Sequence, residues 1–198
     1  MLFQSRRLMS NLQKWTTLNS EFVLDNRWCR VRQDRVQLPN GEVVDDYFIN
    51  VRPEIVLILS ITANGKVVFV RQYRHGVGEI LLELPAGTFE PQQEDSLTAA
   101  RRELEEETGY ISSELIKLAT LHDNPVKDTN RIHVYLALNA EPIGTQALDL
   151  TEDIEVVCLP ISQVENQILS GEICVSGTIA AIFVGLNYLQ KDRKFLRI

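Results

Sequence analysis

The clearest hydrophobic pattern in the chain is a pair of apolar runs separated by a turn. Residues 55–61 and 67–72 are dominated by β-branched and aliphatic side chains, and the stretch between them contains Asn64 and Gly65. Asn-Gly supplies the positive φ angles that a tight hairpin needs. Continuous apolar runs of strand length are typical of strands buried on both faces. We therefore expect a β-hairpin deep within a sheet.

A second turn signal lies nearer the N-terminus, at Pro39-Asn40-Gly41. The pattern on either side of it predicts two strands within residues 28–50. The first twenty residues contain basic side chains and no acid, and we predict that they form a helical arm. Residues 1–50 are thus expected to form a small N-terminal layer, with residues 51–198 as the main domain.

Beyond the hairpin, strand-length and helix-length segments follow one another. Further strands are predicted at residues 80–84, 115–121, 132–138 and 154–159, and helices at residues 95–109, 162–169 and 178–189. The first helix can be capped by Asp95 or Ser96, and it ends at Gly109, which can adopt the left-handed conformation. This order predicts an α/β protein, an α/β/α sandwich with a mixed sheet plus a small N-terminal β layer.

Composition and charge exclude several classes of function. The chain has 198 residues, of which 44% are hydrophobic and 24% charged, values typical of a folded domain. A net charge of −7 and a pI of about 5.1 argue against nucleic acid as a partner, because such binding needs a basic face. No apolar run is long enough to cross a bilayer, so we expect no membrane association. Three widely spaced cysteines favour a reducing compartment, and we predict a cytoplasmic protein.

The first predicted helix gathers negative charge on one side. At about 100° per residue, Glu103, Glu106 and Glu107 share a face, whereas Glu105 is expected to point to solvent. The apolar stripe that should dock on the sheet lies beside the acidic face and consists of Leu97, Ala100 and Leu104.

Such an acidic face is unfavourable by itself. Like charges three or four positions apart repel, and carboxylates near a helix C-terminus oppose the helix dipole. A solvated acidic surface is the ordinary explanation for such a run. A hard cation such as Mg²⁺, which prefers oxygen ligands, is the alternative that uses the clustering.

The surrounding residues favour the metal, because the segment from Gly87 to Tyr110 resembles the Nudix box, G-x5-E-x7-R-E-U-x-E-E-x-G-U, in which U is a bulky apolar residue. Residues 102–110 match without a gap, and the seven-residue spacer between Glu94 and Arg102 is also kept. Six residues, instead of five, separate Gly87 from Glu94. Either Glu94 or Gln93 therefore occupies the acidic position of the loop.

The resemblance extends over residues 28–189 and is closest to the ADP-ribose pyrophosphatases. Arg74 and Glu83 lie in segments similar to those that precede the box in that subfamily, and Pro125 follows Gly109 by sixteen residues. Residues 151–155 resemble the mobile acidic loop that carries a catalytic glutamate, which makes Glu152 the candidate.

The resemblance implies Mg²⁺-dependent hydrolysis, with Mn²⁺ as the other candidate metal, of a nucleoside diphosphate joined to a second moiety. ADP-ribose is the first expected substrate, and AMP and ribose 5-phosphate are the products. The implied roles are metal binding by Glu103, Glu106, Glu107 and the carbonyl of Ala86, proton transfer by Glu106 or Glu152, and substrate binding by Arg74, Glu83 and Pro125. It also implies a homodimer paired through residues 1–50, and a strand pair too small to bury its own apolar face favours the same.

Three alternatives stay open. The substrate could be another nucleotide sugar or a dinucleotide polyphosphate. A nucleotide-sanitising enzyme fits less well, because such enzymes are usually shorter and lack an N-terminal strand pair. A non-catalytic nucleotide-sensing module is disfavoured because a pure binder has little need for repelling carboxylates.

Overall fold

The computed structural model describes residues 12–191, which divide into two compact units. The first unit contains residues 12–52 together with Val126–Thr129. Its described part forms an antiparallel three-stranded sheet in the order β1 (Thr16–Asp25), β2 (Arg30–Gln37) and β3 (Val43–Asn50). The segment Val126–Thr129 joins this unit through hydrogen bonds between backbone groups of Asn50 and those of Lys127 and Thr129.

The strand pair around Asn40-Gly41 is confirmed, but the helical arm is wrong over residues 16–20. Those residues belong to β1, which pairs along its length with β2. Thr16, Thr17, Phe22 and Val23 have good strand propensity, and the edge of β2 supplies the hydrogen-bond partners that a helix would have supplied internally. Residues 1–11 of the predicted arm lie outside the described residues.

The second unit contains residues 53–125 and the described residues from 130 onward. Its strands are β4 (Glu54–Thr62), β5 (Lys66–Arg74), β6 (Glu79–Glu83), β7 (Ala86–Phe89), β8 (Glu114–Leu121), β9 (Ile132–Ala140) and β10 (Ile154–Pro160). They form a seven-stranded sheet in the order β10-β5-β4-β9-β8, with β6 paired to β5 and β7 paired to β4. The sheet is mixed, because β4 and β9 are parallel and the other pairs are antiparallel.

Helices cover both faces of this sheet. They are α1 (Ser96–Thr108), α2 (Ile161–Leu169) and α3 (Ser176–Lys191). Side chains alternate along a strand, so Val56 and Ile58 of β4 pack with α1 while Leu57 and Leu59 pack in the cluster that contains residues of α2 and α3. The predicted sandwich with a mixed sheet is confirmed.

Strand β7 was not predicted. The predicted strand at residues 80–84 corresponds to β6, and a further strand begins at Ala86, because Ala86 and Gly87 pair with Leu57 and Val56 of β4. Small residues give little strand signal of their own. The partner strand determines their conformation, and it brings this backbone alongside α1.

Both ends of α1 are as the sequence predicted. Asp95 is the N-cap, and its carboxylate accepts hydrogen bonds from the backbone N–H groups of Leu97 and Thr98. Gly109 adopts φ 70° at the C-terminal end. Ala100 and Leu104 are buried against the sheet, whereas Leu97, expected in the same stripe, is exposed.

None of the helices in the described residues is long and apolar enough to span a membrane.

Candidate functional site

A polar cavity of about 280 Å³ opens beside α1 in the second unit. Residues of β5, β7, α1 and the loop before β10 converge on it. Its lining comprises Arg74, Ala86, Gly87, Thr88, Arg102, Glu103, Glu106, Glu107, Ala147, Asp149 and Glu152.

The three glutamates predicted to share a face of α1 all line this cavity. Glu103 and Glu107 are 8% and 3% exposed, and Glu106 is more accessible. Glu105 lies outside the cavity, but it does not simply point to solvent as expected. It is half-buried, and a Cβ built on Gly144 would lie 2.9 Å from its Cγ. A neighbouring loop, which the helical pattern could not foresee, therefore covers that side of the helix.

Gly87 allows β7 to approach α1 closely. A Cβ at this position would overlap the carboxyl group of Glu103. The glycine of the box thus has a steric role, since it leaves the space that the first box glutamate occupies.

Arg102 links Glu94, which lies in the loop before α1, to the acidic face of that helix. Its guanidinium donates to both carboxylate oxygens of Glu94, at 3.2 and 2.9 Å. One of its nitrogens also donates to Glu103 at 2.7 Å and to Glu106 at 2.9 Å. Glu94, and not Gln93, is therefore the acidic partner of Arg102 despite the extra loop residue.

Burial of the carboxylates changes their ionisation. Burial raises the pKa of Glu107 to about 8, and the charges of Glu103 and Glu152 act in the same direction. The N–H of Ala86, which donates to Glu107 at 2.9 Å, opposes the shift. Burial also raises the pKa of Glu103, although Arg102 counteracts it. The metal-free site therefore favours the protonated form of Glu107, because the surrounding positive groups and N–H donors compensate the crowded carboxylates only in part.

The donor set of this cavity fits a hard divalent cation. Carboxylate oxygens are its preferred ligands, and the carboxylates of Glu103, Glu106 and Glu107 could hold it together with the main chain at Ala86. In the described part of the chain, however, no three acidic, imidazole or thiol groups are already arranged as a metal cluster. Arg102 bridges Glu103 and Glu106, so binding of a cation requires that these contacts rearrange.

Glu152 lies in the same cavity as the helix glutamates. Its carboxylate accepts a hydrogen bond of 2.8 Å from the N–H of Asp149, which fixes it within its own turn. Of residues 151–155, all of which are described, Glu152 alone lines the cavity. Asp153 is exposed, and Glu155 pairs with Arg71 instead.

The predicted substrate-binding residues are only partly brought together. Arg74 lines the cavity, and its Nε donates to Glu83 at 2.6 Å. Glu83 is buried and is not among the lining residues. Pro125 lies on an exposed turn and is not among the lining residues.

Sequence reasoning missed three lining residues, Thr88, Ala147 and Asp149. Thr88 belongs to the unpredicted strand β7. Ala147 and Asp149 lie in an irregular loop whose sequence has no periodic pattern.

The raised pKa of Glu107 predicts a pH-dependent stability. In metal-free protein, the folded state binds a proton at Glu107 between its ordinary pKa of 4.5 and about 8, whereas the unfolded state does not. The free energy of unfolding should therefore fall as the pH rises from 5 to 8, by at most about 1.4 kcal/mol per pH unit for this group.

Urea unfolding with a chelator present measures this slope. Glu107→Gln should flatten it, and the remaining slope should come from Glu103, whose pKa is shifted in the same direction. Glu165→Gln, at an exposed position of α2, is the control and should keep the slope. A wild-type stability that rises over this range would contradict the assignment.

Two family models match this chain, and several known proteins resemble it. The family model described as the NUDIX domain matches residues 51–173, and that described as the nucleoside diphosphate sugar hydrolase N-terminal domain matches residues 15–50. The chain is 31% identical over 183 residues to a methanol dehydrogenase activator of Bacillus methanolicus, covering 92% of this chain and 96% of that protein. It is 30% identical over 175 residues to an ADP-ribose pyrophosphatase of Bacillus subtilis (strain 168), covering 88% and 91%.

Among solved structures, a crystal structure of an ADP compounds hydrolase matches with a TM-score of 0.81 and 25% identity, covering 92% of this chain and 97% of that chain. The NUDIX match includes the whole of the cavity lining, from Arg74 to Glu152. The chain therefore belongs to the Nudix family.

Proposed function

We propose that this protein hydrolyses the diphosphate bond of a nucleoside diphosphate joined to a second moiety. ADP-ribose is the first candidate substrate, and AMP and ribose 5-phosphate are the products. The proposal rests on one observation, which is that three helix glutamates, a loop glutamate and Arg74 line the same polar cavity. This combination provides acidic ligands for a cation, a proton acceptor and a phosphate-binding cation.

Nudix hydrolases generally use a divalent metal, and we propose Mg²⁺ here, with Mn²⁺ as the alternative. Glu103, Glu106, Glu107 and the carbonyl of Ala86 would hold it. When bound, it supplies positive charge that offsets the charge of the diphosphate. The raised pKa values of Glu103 and Glu107 imply that protons leave these carboxylates when a cation binds.

The other groups of the cavity have separate roles in this proposal. Arg74 binds a phosphate oxygen, and Glu83 orients its guanidinium through the 2.6 Å hydrogen bond. Glu152 accepts the proton of the attacking water, with Glu106 as the alternative acceptor because it is the most accessible of the three helix carboxylates that line the cavity. Pro125 is not included, since it lies outside the cavity.

The names of the relatives support the substrate class but not a single substrate. An ADP-ribose pyrophosphatase and an ADP compounds hydrolase both act on nucleoside-diphosphate compounds, and a relative with a similar identity is called a methanol dehydrogenase activator. Another nucleotide sugar, a dinucleotide polyphosphate and non-catalytic sensing are the competing assignments.

A substrate panel tests the activity. Purified protein with Mg²⁺ should release phosphate-containing products from ADP-ribose faster than from other nucleotide sugars, dinucleotide polyphosphates or nucleoside triphosphates. Glu106→Gln and Glu107→Gln should each lose most of kcat, because each removes one carboxylate of the proposed metal site, while thermal stability without metal holds or rises. Glu165→Gln should keep wild-type turnover. If the wild type hydrolyses none of the panel, the protein is not this enzyme.

Glu152 is expected to act in the chemical step. Glu152→Gln should lower kcat about 10²–10⁴-fold, the usual contribution of a general base. The Mg²⁺ concentration for half-maximal activity should barely change, because this residue is not among the proposed ligands. Asp153→Asn and Glu155→Gln are matched controls, since neither side chain lines the cavity. A milder effect of Glu152→Gln than of either control would move the role to a neighbouring residue.

We also propose that two copies of the chain pair through the N-terminal layer formed by residues 1–50. All ten residues of β1 are exposed in the single chain, including Leu18 and Phe22, and Trp28 is 74% exposed. An apolar edge strand of this length usually has a partner.

Light scattering should give a mass twice the 22.6 kDa of one chain. Leu18→Glu should produce a monomer because it places a charge on the exposed apolar strand. Leu169→Glu, at an even more accessible apolar position of the second unit, should leave the dimer intact. A mass of 22.6 kDa for the wild type would rule out the dimer.

A further inference from the structure

The loop that carries Glu152 is attached to the C-terminal end of α1. The N–H of Gly144 donates to the carbonyl of Gly109 at 3.0 Å, and the N–H of Ala147 donates to the carbonyl of Glu106 at 2.9 Å. The side-chain Nε2 of Gln146 donates to the carbonyl of Glu107 at 2.8 Å. Gly144, Gln146 and Ala147 are called the loop clamp below.

The loop clamp donates to backbone carbonyls that have no hydrogen-bond donor within the helix itself. The last four carbonyls of an α-helix have no intrahelical donor, and those of Glu106 and Glu107 are two of them. The clamp also requires close packing, because a Cβ on Gly144 would lie 3.0 Å from Ile111 and 2.9 Å from the Cγ of Glu105. The loop therefore lies directly against the helix end that presents the cavity glutamates.

The path from the clamp to Glu152 is short. Ala147 itself lines the cavity, and Asp149, two residues later, holds the carboxylate of Glu152 through its N–H at 2.8 Å. A second hydrogen bond, from the N–H of Glu152 to the carbonyl of Asp149, closes the same turn. The hydrogen bonds at the helix end and those at Glu152 are thus separated only by residues 147–149, and Glu152 lines the same cavity as Glu106 and Glu107.

From this connection we infer that Gln146 is a positioning residue, which holds Glu152 at its place opposite the helix glutamates without contacting substrate. The inference rests on the proposed function. Gln146 is the part of the clamp that depends on side-chain chemistry, because the other two donors are backbone groups. Its loss leaves the loop attached by fewer bonds, so that Glu152 spends less time in the productive position.

Two substitutions of Gln146 separate positioning from simple packing. Gln146→Ala removes the donor, and Gln146→Glu keeps the shape but replaces the donor with a carboxylate that can only accept. If the hydrogen bond matters, glutamate is worse than alanine, because its charge faces the carbonyl of Glu107. If the side chain merely fills space, glutamate is milder. Gln163→Ala and Gln163→Glu, at an exposed position of α2, are the matched controls.

The first measurement is amide hydrogen exchange in metal-free protein, which does not depend on activity. In Gln146→Ala, the N–H groups of Gly144 and Ala147 should exchange about 3- to 10-fold faster, as expected for the loss of one hydrogen bond. The amides of the Gln163 variants should exchange as in the wild type. Unchanged exchange in both Gln146 variants would overturn the clamp.

The second measurement is steady-state hydrolysis of the best panel substrate. Gln146→Ala should lower kcat about 3- to 10-fold and Gln146→Glu further, with KM and the Mg²⁺ requirement unchanged. Faster exchange without a loss of kcat, or a loss seen only in KM, would overturn the positioning role. A wild type that hydrolyses nothing would overturn the proposed function and the positioning role with it, while exchange would still show whether the loop is clamped.

Discussion

The crowding of four glutamates in a small, partly enclosed cavity is the constraint on which the rest of the site depends. Burial raises the pKa of Glu103 and of Glu107, and the nearby charge of Glu152 acts in the same direction. Burying like charges together is costly unless each has a partner. The protein supplies partial compensation, with Arg102 beside Glu103 and Glu106 and the N–H of Ala86 on Glu107. A cavity with this remaining imbalance favours a cation, so the same feature that costs stability provides the basis for metal affinity.

The central strand β4 positions both sides of this cavity. Its side chains alternate between the two faces of the sheet, and on one face Val56 and Ile58 pack against α1. Its edge pairs with β7, which brings Ala86 and Gly87 against the acidic face of the helix. The distance between helix and strand is set by this shared partner, and a side chain at position 87 would occupy the space of the Glu103 carboxyl group. The helix is therefore held in place by packing on the sheet, and its acidic face has room for the Glu103 carboxyl group only because residue 87 is a glycine.

The features that could be predicted from the sequence are those that depend on local patterns. The ends of α1, the hairpin of β4 and β5, and the shared face of Glu103, Glu106 and Glu107 follow from caps, turns and helical periodicity. The features that were missed depend on a distant partner. Residues 16–20 form a strand because β2 lies beside them, and Ala86 and Gly87 form one because β4 does. Glu105 is half-buried for the same reason, since the loop at Gly144 covers a helix side that would otherwise face solvent.

The C-terminal end of α1 illustrates why the loop could not be inferred from residue types. Lysine and arginine are favourable near the C-terminal end of a helix, because their positive charge complements the dipole and their side chains can donate to the last carbonyls. The last turn of α1 contains no basic residue. A cation there would pair with Glu106 or Glu107 and would neutralise the charge that the cavity needs. Neutral donors, the amide of Gln146 and the N–H groups of Gly144 and Ala147, satisfy the carbonyls without that competition. The chemistry of the cavity thus extends to the capping of its helix, and it favours uncharged donors at the loop residues that contact the helix end.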